Sequence, residues 1–75
     1  VAAVLEGIRA REPGAHITVY SGHYLEMLLR RPEPSVRRIL ELASLLIDGP
    51  FVASLSSGAG EWRGSTNQRL LALAP

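Results

Sequence analysis

The sequence contains no cysteine among its 75 residues. This absence excludes disulfides, thiolate nucleophiles and iron-sulfur or zinc-thiolate ligation by residues of this chain. The apolar stretches are also far shorter than the roughly 18 consecutive residues of a membrane span, and no signal-peptide pattern opens the chain. We therefore expect no metal site in this chain, no membrane partner and a cytoplasmic location.

Lysine is absent as well, so all eight cationic side chains are arginine, and the chain has seven carboxylate side chains. The arginines are scattered along the chain without a long basic run, which gives no support to nucleic-acid binding. Apolar residues form 47% of the sequence, a fraction that argues against disorder. A chain this short buries only about 60% of its unfolded surface, so we expect one globular domain of marginal stability.

Hydrophobic periodicity predicts helices that alternate with strands. Because Val1 already lies on the apolar stripe of the first helix, we expect that the chain is truncated upstream. An apolar tail ends the chain, and no secondary structure is predicted for it. The predicted elements are a helix with Val1, Val4, Leu5 and Ile8 on one face, a strand over His16–Tyr20, a short helix over Leu25–Arg31, a helix capped by Ser35, and a buried strand over Leu45–Ile47.

Two strands joined by helices indicate an α/β fold with parallel strands and helical crossovers. Two strands alone are too few for a stable sheet, so further strands are expected from a missing N-terminal part or from another chain. Strand edges left unpaired in this way offer a route to self-association.

Small and polar residues follow both predicted strands. Tyr20, Ser21 and Gly22 close the first, and Asp48 and Gly49 close the second. A crossover brings both ends to one edge, where glycine permits close approach of a ligand and a hydroxyl or carboxylate can bind a ribose diol or an ammonium. On spacing alone, the plainer interpretation is favoured: Ser21-Gly22 turns the chain and Asp48 caps the next segment.

One further segment combines a large aromatic, a cation, a glycine and four hydrogen-bonding side chains. Such a segment can form a site for a carboxylate or phosphate, or its polar groups can satisfy its own backbone. The sequence leaves these two interpretations open. The segment consists of Trp62, Arg63, Gly64, Ser65, Thr66, Asn67 and Gln68.

The remaining chemistry-bearing residues give weaker patterns. His16 and His23 have no carboxylate partner nearby in sequence, which argues against metal binding or acid-base catalysis. Tyr24 and Met27 are interpreted as core residues. No catalytic residue is therefore predicted.

In three blocks the sequence resembles the activating proteins of anaerobic ribonucleoside-triphosphate reductase, members of the radical S-adenosylmethionine group. The order and spacing of the blocks agree with that family over roughly residues 16–73. His23 departs from the family pattern, which has tyrosine after the glycine. The blocks are Val19-Tyr20-Ser21-Gly22, Leu46-Ile47-Asp48-Gly49-Pro50-Phe51, and Trp62 to Gln68.

The resemblance implies a fragment of a partial (β/α) barrel, the C-terminal part of an activase. In such proteins a Cys-x3-Cys-x2-Cys loop holds a 4Fe-4S cluster, and reductive cleavage of S-adenosylmethionine leads to a glycyl radical on the reductase. The resemblance also implies that Tyr20, Ser21, Gly22, Asp48 and Gly49 bind the cofactor. Residues Trp62 to Gln68 would then lie near the cofactor or the docked reductase.

This chain has none of the cluster cysteines, so we expect it to be inactive alone and to bind neither cofactor tightly. The partner would be anaerobic ribonucleotide reductase or another glycyl-radical enzyme. The alternative is a non-catalytic α/β module that docks a reductase-like partner or a nucleoside ligand. A cysteine loop encoded upstream would favour the fragment, and a start codon directly before Val1 would favour the module.

Overall fold

The structure, a computed structural model, describes residues 1–73. Helices and strands alternate along the first two thirds of the chain, as predicted. Within the described residues no helix is long and apolar enough to cross a membrane. The elements are α1 (Ala2–Arg11), β1 (Thr18–Tyr20), α2 (Leu25–Leu28), α3 (Pro34–Leu42), β2 (Leu45–Asp48), a 3-10 turn (Ala53–Leu55) and β3 (Arg69–Ala72).

The described strands form one sheet in the order β1-β2-β3. β1 lies parallel to β2, with Thr18 opposite Leu45 and Tyr20 opposite Ile47. The predicted parallel pairing is therefore confirmed. β3 lies antiparallel on the other side of β2, with Arg69 opposite Asp48, so the sheet is mixed rather than wholly parallel. The partial barrel implied by the resemblance stays a prediction.

The hydrophobic core lies between the sheet and the helices α1 and α3. Leu5, Ile17 and Leu42 form its buried cluster, and Val19 and Ile39 pack against it. The apolar face predicted for α1 is only partly buried. Leu5 alone reaches the core, and the other members of the stripe, Val1, Val4 and Ile8, are exposed.

Two helix boundaries differ from the sequence-based prediction. α3 begins at Pro34 with Glu33 as its N-cap, so the cap predicted at Ser35 is wrong. Proline suits the first position of a helix because its φ is already helical and it has no N–H to satisfy. α2 ends at Leu28, before the arginine pair that was predicted to close it.

Arg9 joins α1 to the amino-terminal edge of the sheet. Its Nε donates to the carbonyl oxygen of Leu42 at 3.0 Å, and a terminal nitrogen donates to the hydroxyl of Ser44 at 2.9 Å. Its other terminal nitrogen donates to the carbonyls of Pro13 and Ala15. These bonds fix the edge opposite to the predicted site.

Candidate functional site

The ends of β1 and β2 lie side by side. The amide of Ser21 donates to the carbonyl of Ile47 at 2.9 Å, and the amide of Gly49 donates to the carbonyl of His23 at 3.1 Å. The hydroxyl of Ser21 accepts a hydrogen bond from the amide of His23 at 3.0 Å, which closes the turn around Gly22. The two segments predicted to share one edge are therefore brought together.

Asp48 is completely buried at the end of β2. Its Oδ2 accepts a hydrogen bond of 2.7 Å from the amide of Leu25, the first residue of α2. Its Oδ1 accepts one of 3.0 Å from Nε of Arg69, and a terminal nitrogen of Arg69 donates to Oδ2. Both carboxylate oxygens are thus bonded within the chain. Asp48 caps the start of α2, which precedes it in the chain, so the prediction that it caps the next segment is wrong.

Arg69 lies between two carboxylates. Besides Asp48, it donates to Oε1 of the exposed Glu26 at 2.6 Å. The Arg69 hydrogen bonds lower the pKa of both Asp48 and Glu26, and the two carboxylates in turn raise the pKa of Arg69. All three groups therefore stay charged near neutral pH.

Tyr24 covers the backbone at Gly49. Gly49 has φ of +97°, and a Cβ at this position would lie 2.7 Å from Cε1 of Tyr24. The guanidinium carbon of Arg69 lies 5.2 Å from the centre of the same ring, and Nδ2 of Asn67 donates to the tyrosine hydroxyl at 3.0 Å. Glycine is required here both by the left-handed backbone and by the close approach of the ring.

The segment Trp62 to Gln68 folds onto the same edge mainly through Gln68. Its Oε1 accepts hydrogen bonds from the amides of Gly64 at 2.8 Å and Ser65 at 3.1 Å, and its Nε2 donates to the carbonyl of Gly49 at 3.0 Å. The buried hydroxyl of Ser65 accepts from the amide of Val52 at 3.1 Å. Gln68 therefore ties the loop directly to the end of β2.

The other polar members of this segment also bond to backbone atoms. Arg63 donates to the carbonyls of Ala59, Thr66 and Gln68 at 3.0 to 3.1 Å. Asn67 donates to the carbonyl of Pro50 at 2.8 Å. Its Oδ1 is buried and has no hydrogen-bond partner in the described part of the chain. Most of the polar groups in the segment thus serve the loop itself.

The accessible part of this edge belongs to β1 and to Trp62. The side chains of Tyr20 and Trp62 are 60% and 56% exposed, and the Tyr20 hydroxyl donates to the Trp62 carbonyl at 3.0 Å. Gly22 is exposed, and a Cβ there would meet nothing within 4 Å. A ligand at this edge would meet Tyr20, Ser21, Gly22 and Trp62, whereas Asp48 is buried and Gly49 lies behind Tyr24.

Two clefts border the sheet. The smaller one, about 160 Å³, is almost wholly apolar and opens beside Tyr20 and Ser21, with Val36 and Ile39 among its lining residues. The larger one, about 410 Å³, lies at the opposite edge around Arg9 and is remote from every predicted site residue. Arg9 donates hydrogen bonds to four neighbouring groups at that edge, which indicates a structural role for it.

Three residues that organise this edge, namely Tyr24, Glu26 and Arg69, were not among the predicted site residues. Tyr24 was interpreted as core, and Arg69 lies one position beyond the distinctive segment. The available signal was Arg69 itself, a charged residue directly before an apolar run, because a charged side chain that becomes buried needs a partner of opposite charge. The partner itself could not be read from spacing, since Asp48 lies 21 residues earlier.

Replacing Gln68 by Met should destabilise the fold by about 2–3 kcal/mol. The change keeps the side-chain volume but leaves two buried groups, the amide of Ser65 and the carbonyl of Gly49, without partners. Two such groups at the lower end of about 1–3 kcal/mol each give this loss, and the partly buried amide of Gly64 can be hydrated. Urea unfolding followed by circular dichroism measures the loss. The exposed neighbour provides the control: Thr66→Val should change the free energy of unfolding by less than about 0.5 kcal/mol.

Comparison with known proteins gives a consistent assignment. Residues 1–71 match the family described as 4Fe-4S single cluster domain. The anaerobic ribonucleoside-triphosphate reductase-activating protein of Salmonella typhimurium strain LT2 is 35% identical over 68 residues, which is 91% of this chain and 42% of that protein. The protein of the same name from Escherichia coli strain K12 is 35% identical over 65 residues, or 87% of this chain and 40% of that protein.

The chain thus spans about two fifths of the length of these curated relatives. No solved structure gives a significant match. The matched residues include both strand ends and the segment Trp62 to Gln68. The chain therefore belongs to the 4Fe-4S single cluster domain family and is a relative of the activating proteins of anaerobic ribonucleoside-triphosphate reductase.

Proposed function

We propose that this chain is the C-terminal part of a radical S-adenosylmethionine enzyme that installs a glycyl radical on anaerobic ribonucleotide reductase. The observation that carries the proposal is one edge of the sheet. There the parallel ends of β1 and β2 adjoin, and the segment Trp62 to Gln68 is tied to Gly49 by Gln68. All three blocks of the resemblance therefore meet at one place, and the named relatives support the same assignment.

The residues of this chain do not fit an iron-sulfur cluster. The sequence has no cysteine, and residues 1–73 contain no group of three His, Cys, Asp or Glu side chains that could hold a metal ion. A cluster in the whole protein, meaning the polypeptide that carries residues 1–75 with any residues beyond them, would need ligands from outside this chain.

The accessible edge does fit one side of S-adenosylmethionine. The exposed ring of Tyr20 offers a stacking face, the open turn at Gly22 permits close approach, and an apolar cleft adjoins Ser21. Asp48 and Gly49 would act from behind this surface, because the Asp48 oxygens already bond to Leu25 and Arg69. When bound, the cofactor supplies a 5′-deoxyadenosyl group. Direct contact of Asp48 with the cofactor stays a prediction.

An activity assay of the whole protein tests this proposal directly. It would be reconstituted anaerobically with iron and sulfide, reduced, and mixed with S-adenosylmethionine and anaerobic ribonucleotide reductase. Electron paramagnetic resonance should detect a glycyl radical on the reductase, together with 5′-deoxyadenosine in the solution. Normal cluster loading with neither product would reject the proposed activity.

Replacing Gly22 by Leu should weaken S-adenosylmethionine binding to the whole protein by at least about tenfold without unfolding it. A Cβ at this position meets no protein atom within 4 Å, and Gly22 lacks the positive φ that would make the change strained. It would occupy the space through which a ligand approaches the turn, and overpacking commonly costs about 1–3 kcal/mol. Isothermal titration calorimetry measures the affinity.

Gly14→Leu is the matched control for this substitution. Gly14 also has open space at its Cβ position, and it lies in the turn before β1, beside the larger cleft at the opposite edge of the sheet. The affinity of the Gly14→Leu protein for S-adenosylmethionine should match that of the wild type. Equal affinities for the Gly22 and Gly14 variants would remove the Gly22 turn from the ligand site.

A non-catalytic binding module is the second candidate. An accessible surface favours it, because Tyr20 and Trp62 are exposed and an apolar cleft adjoins Tyr20, and such a surface can bind a partner without a cluster. It predicts that the whole protein binds the reductase or a nucleoside but yields no radical under the conditions given above. A polypeptide with a Cys-x3-Cys-x2-Cys loop and radical-forming activity would reject this candidate.

A further inference from the structure

We propose that Arg69 is a positioning residue for the candidate site, acting through Asp48 to hold the turn that presents Ser21 and Gly22. The inference rests on the proposed function, because it assigns Arg69 to the same edge of the sheet. Arg69 lies beyond the segment that the resemblance associates with the cofactor. Its role follows from its contacts alone.

Arg69 first fixes the orientation of the Asp48 carboxylate. Nε bonds to Oδ1 and a terminal nitrogen bonds to Oδ2, so the planar guanidinium engages both oxygens at once. A paired contact of this kind sets the plane of the carboxylate, which a single-point contact from lysine does not. The carboxylate is completely buried, so it depends on these partners for its charge.

The oriented carboxylate then fixes the start of α2. Oδ2 accepts the amide of Leu25 at 2.7 Å, and the four-residue helix has no side-chain cap from its own N-cap residue. The turn from Ser21 to Tyr24 is therefore held at both ends, by the bond from Ser21 to Ile47 and by the bond from Leu25 to Asp48. Between these ends the amide of Gly49 donates to the carbonyl of His23.

Arg69 also reaches α2 on its solvent side. It donates to Glu26 at 2.6 Å, and its guanidinium lies over the ring of Tyr24. Through these contacts one side chain from β3 connects the end of β2 with both the start and the first turn of α2. The hydrophobic cluster of Leu5, Ile17 and Leu42 is formed by other elements, so Arg69 governs the edge rather than the core.

Arg69→Lys in the whole protein tests the proposal with two readouts. Hydrogen exchange of backbone amides should accelerate at least about tenfold at Leu25 and Gly49, the size expected when a charged hydrogen bond is lost. Amides of α1 and α3 should keep wild-type exchange. The affinity for S-adenosylmethionine, measured by calorimetry, should fall by at least about tenfold as well.

Two other variants accompany this one. Arg38→Gln is the matched control, because Arg38 also bonds to two carboxylates, those of Glu6 and Glu41, but lies on the helices away from the site. It should change neither readout. Glu26→Gln keeps the buried pair and removes only the negative charge of the outer partner of Arg69. It should therefore give a smaller local acceleration, and it serves if Arg69→Lys fails to fold.

Each result decides the proposal. Faster exchange confined to the edge with weaker binding supports it. Equal acceleration at all amides would show that Arg69 only stabilises the fold, and local acceleration with unchanged affinity would show that the turn needs no positioning; both overturn it. If the wild type binds no S-adenosylmethionine, the proposed function fails, and the exchange pattern alone decides whether Arg69 holds the turn.

Discussion

Replacing Asp48 by Ala should lower the free energy of unfolding by about 3 kcal/mol, since removing one member of a buried ion pair commonly costs about 3–5 kcal/mol. The lower end applies because the Arg69 side chain is 41% exposed and can be hydrated once its partner is gone. The amide of Leu25 also loses its acceptor. Urea unfolding should show a lower midpoint, and the chain has little stability to spare.

The same substitution should change the response to acid. Because Arg69 lowers the folded-state pKa of Asp48, the ion pair contributes fully above the unfolded value, which is about 3.9. Its contribution is lost as the pH falls through the folded-state pKa. The stability difference between wild type and Asp48→Ala should therefore be constant near neutrality and narrow below about pH 4. The control is Glu61→Ala, a change in an exposed loop, which should leave the free energy of unfolding and its response to acid unchanged.

Replacing Gly49 by Ala should destabilise the fold by about 2–5 kcal/mol, the sum of a left-handed backbone penalty of about 1–2 kcal/mol and an overpacking penalty of about 1–3 kcal/mol. The backbone penalty arises from φ of +97°, and the packing penalty from a Cβ placed 2.7 Å from the Tyr24 ring. The ring must move, which also disturbs the bond from Asn67 to its hydroxyl. Thermal unfolding followed by circular dichroism measures the effect.

The variant Gly58→Ala separates the backbone penalty from the packing penalty. Gly58 has a similar φ of +82°, but a Cβ there meets nothing within 4 Å. This control should therefore show only the backbone penalty of about 1–2 kcal/mol. Equal losses for the Gly49 and Gly58 variants would mean that Tyr24 does not pack against Gly49.

The parallel pairing of β1 and β2 could be predicted because both strands are short apolar runs, each ended by a glycine turn and separated by helical periodicity. That pattern places Ser21 and Asp48 at one edge, and the structure has them there. Residue preferences predicted that Asp48 caps the segment after it. The residue that it caps is instead Leu25, earlier in the chain, which local rules do not indicate.

β3 could not be predicted with the same rules. Its four residues, Arg69 to Ala72, are one arginine followed by a short apolar run, so neither length nor alternation distinguishes a strand from an unstructured tail. Its antiparallel direction depends on the long loop that precedes it, whose path is set by Gln68 and Arg63. The pairing of Arg69 with Asp48 follows from that path, and the spacing of the two residues in the sequence does not indicate it.

A crystal structure of the whole protein with S-adenosylmethionine bound is the most direct measurement. The proposal predicts that the cofactor lies across the ends of β1 and β2, with its adenosine part against Tyr20 and Gly22 and with Asp48 still bonded to Arg69. A cofactor bound at the opposite edge around Arg9, or elsewhere without contact to the Tyr20–Gly22 turn, would contradict the site proposed for this chain.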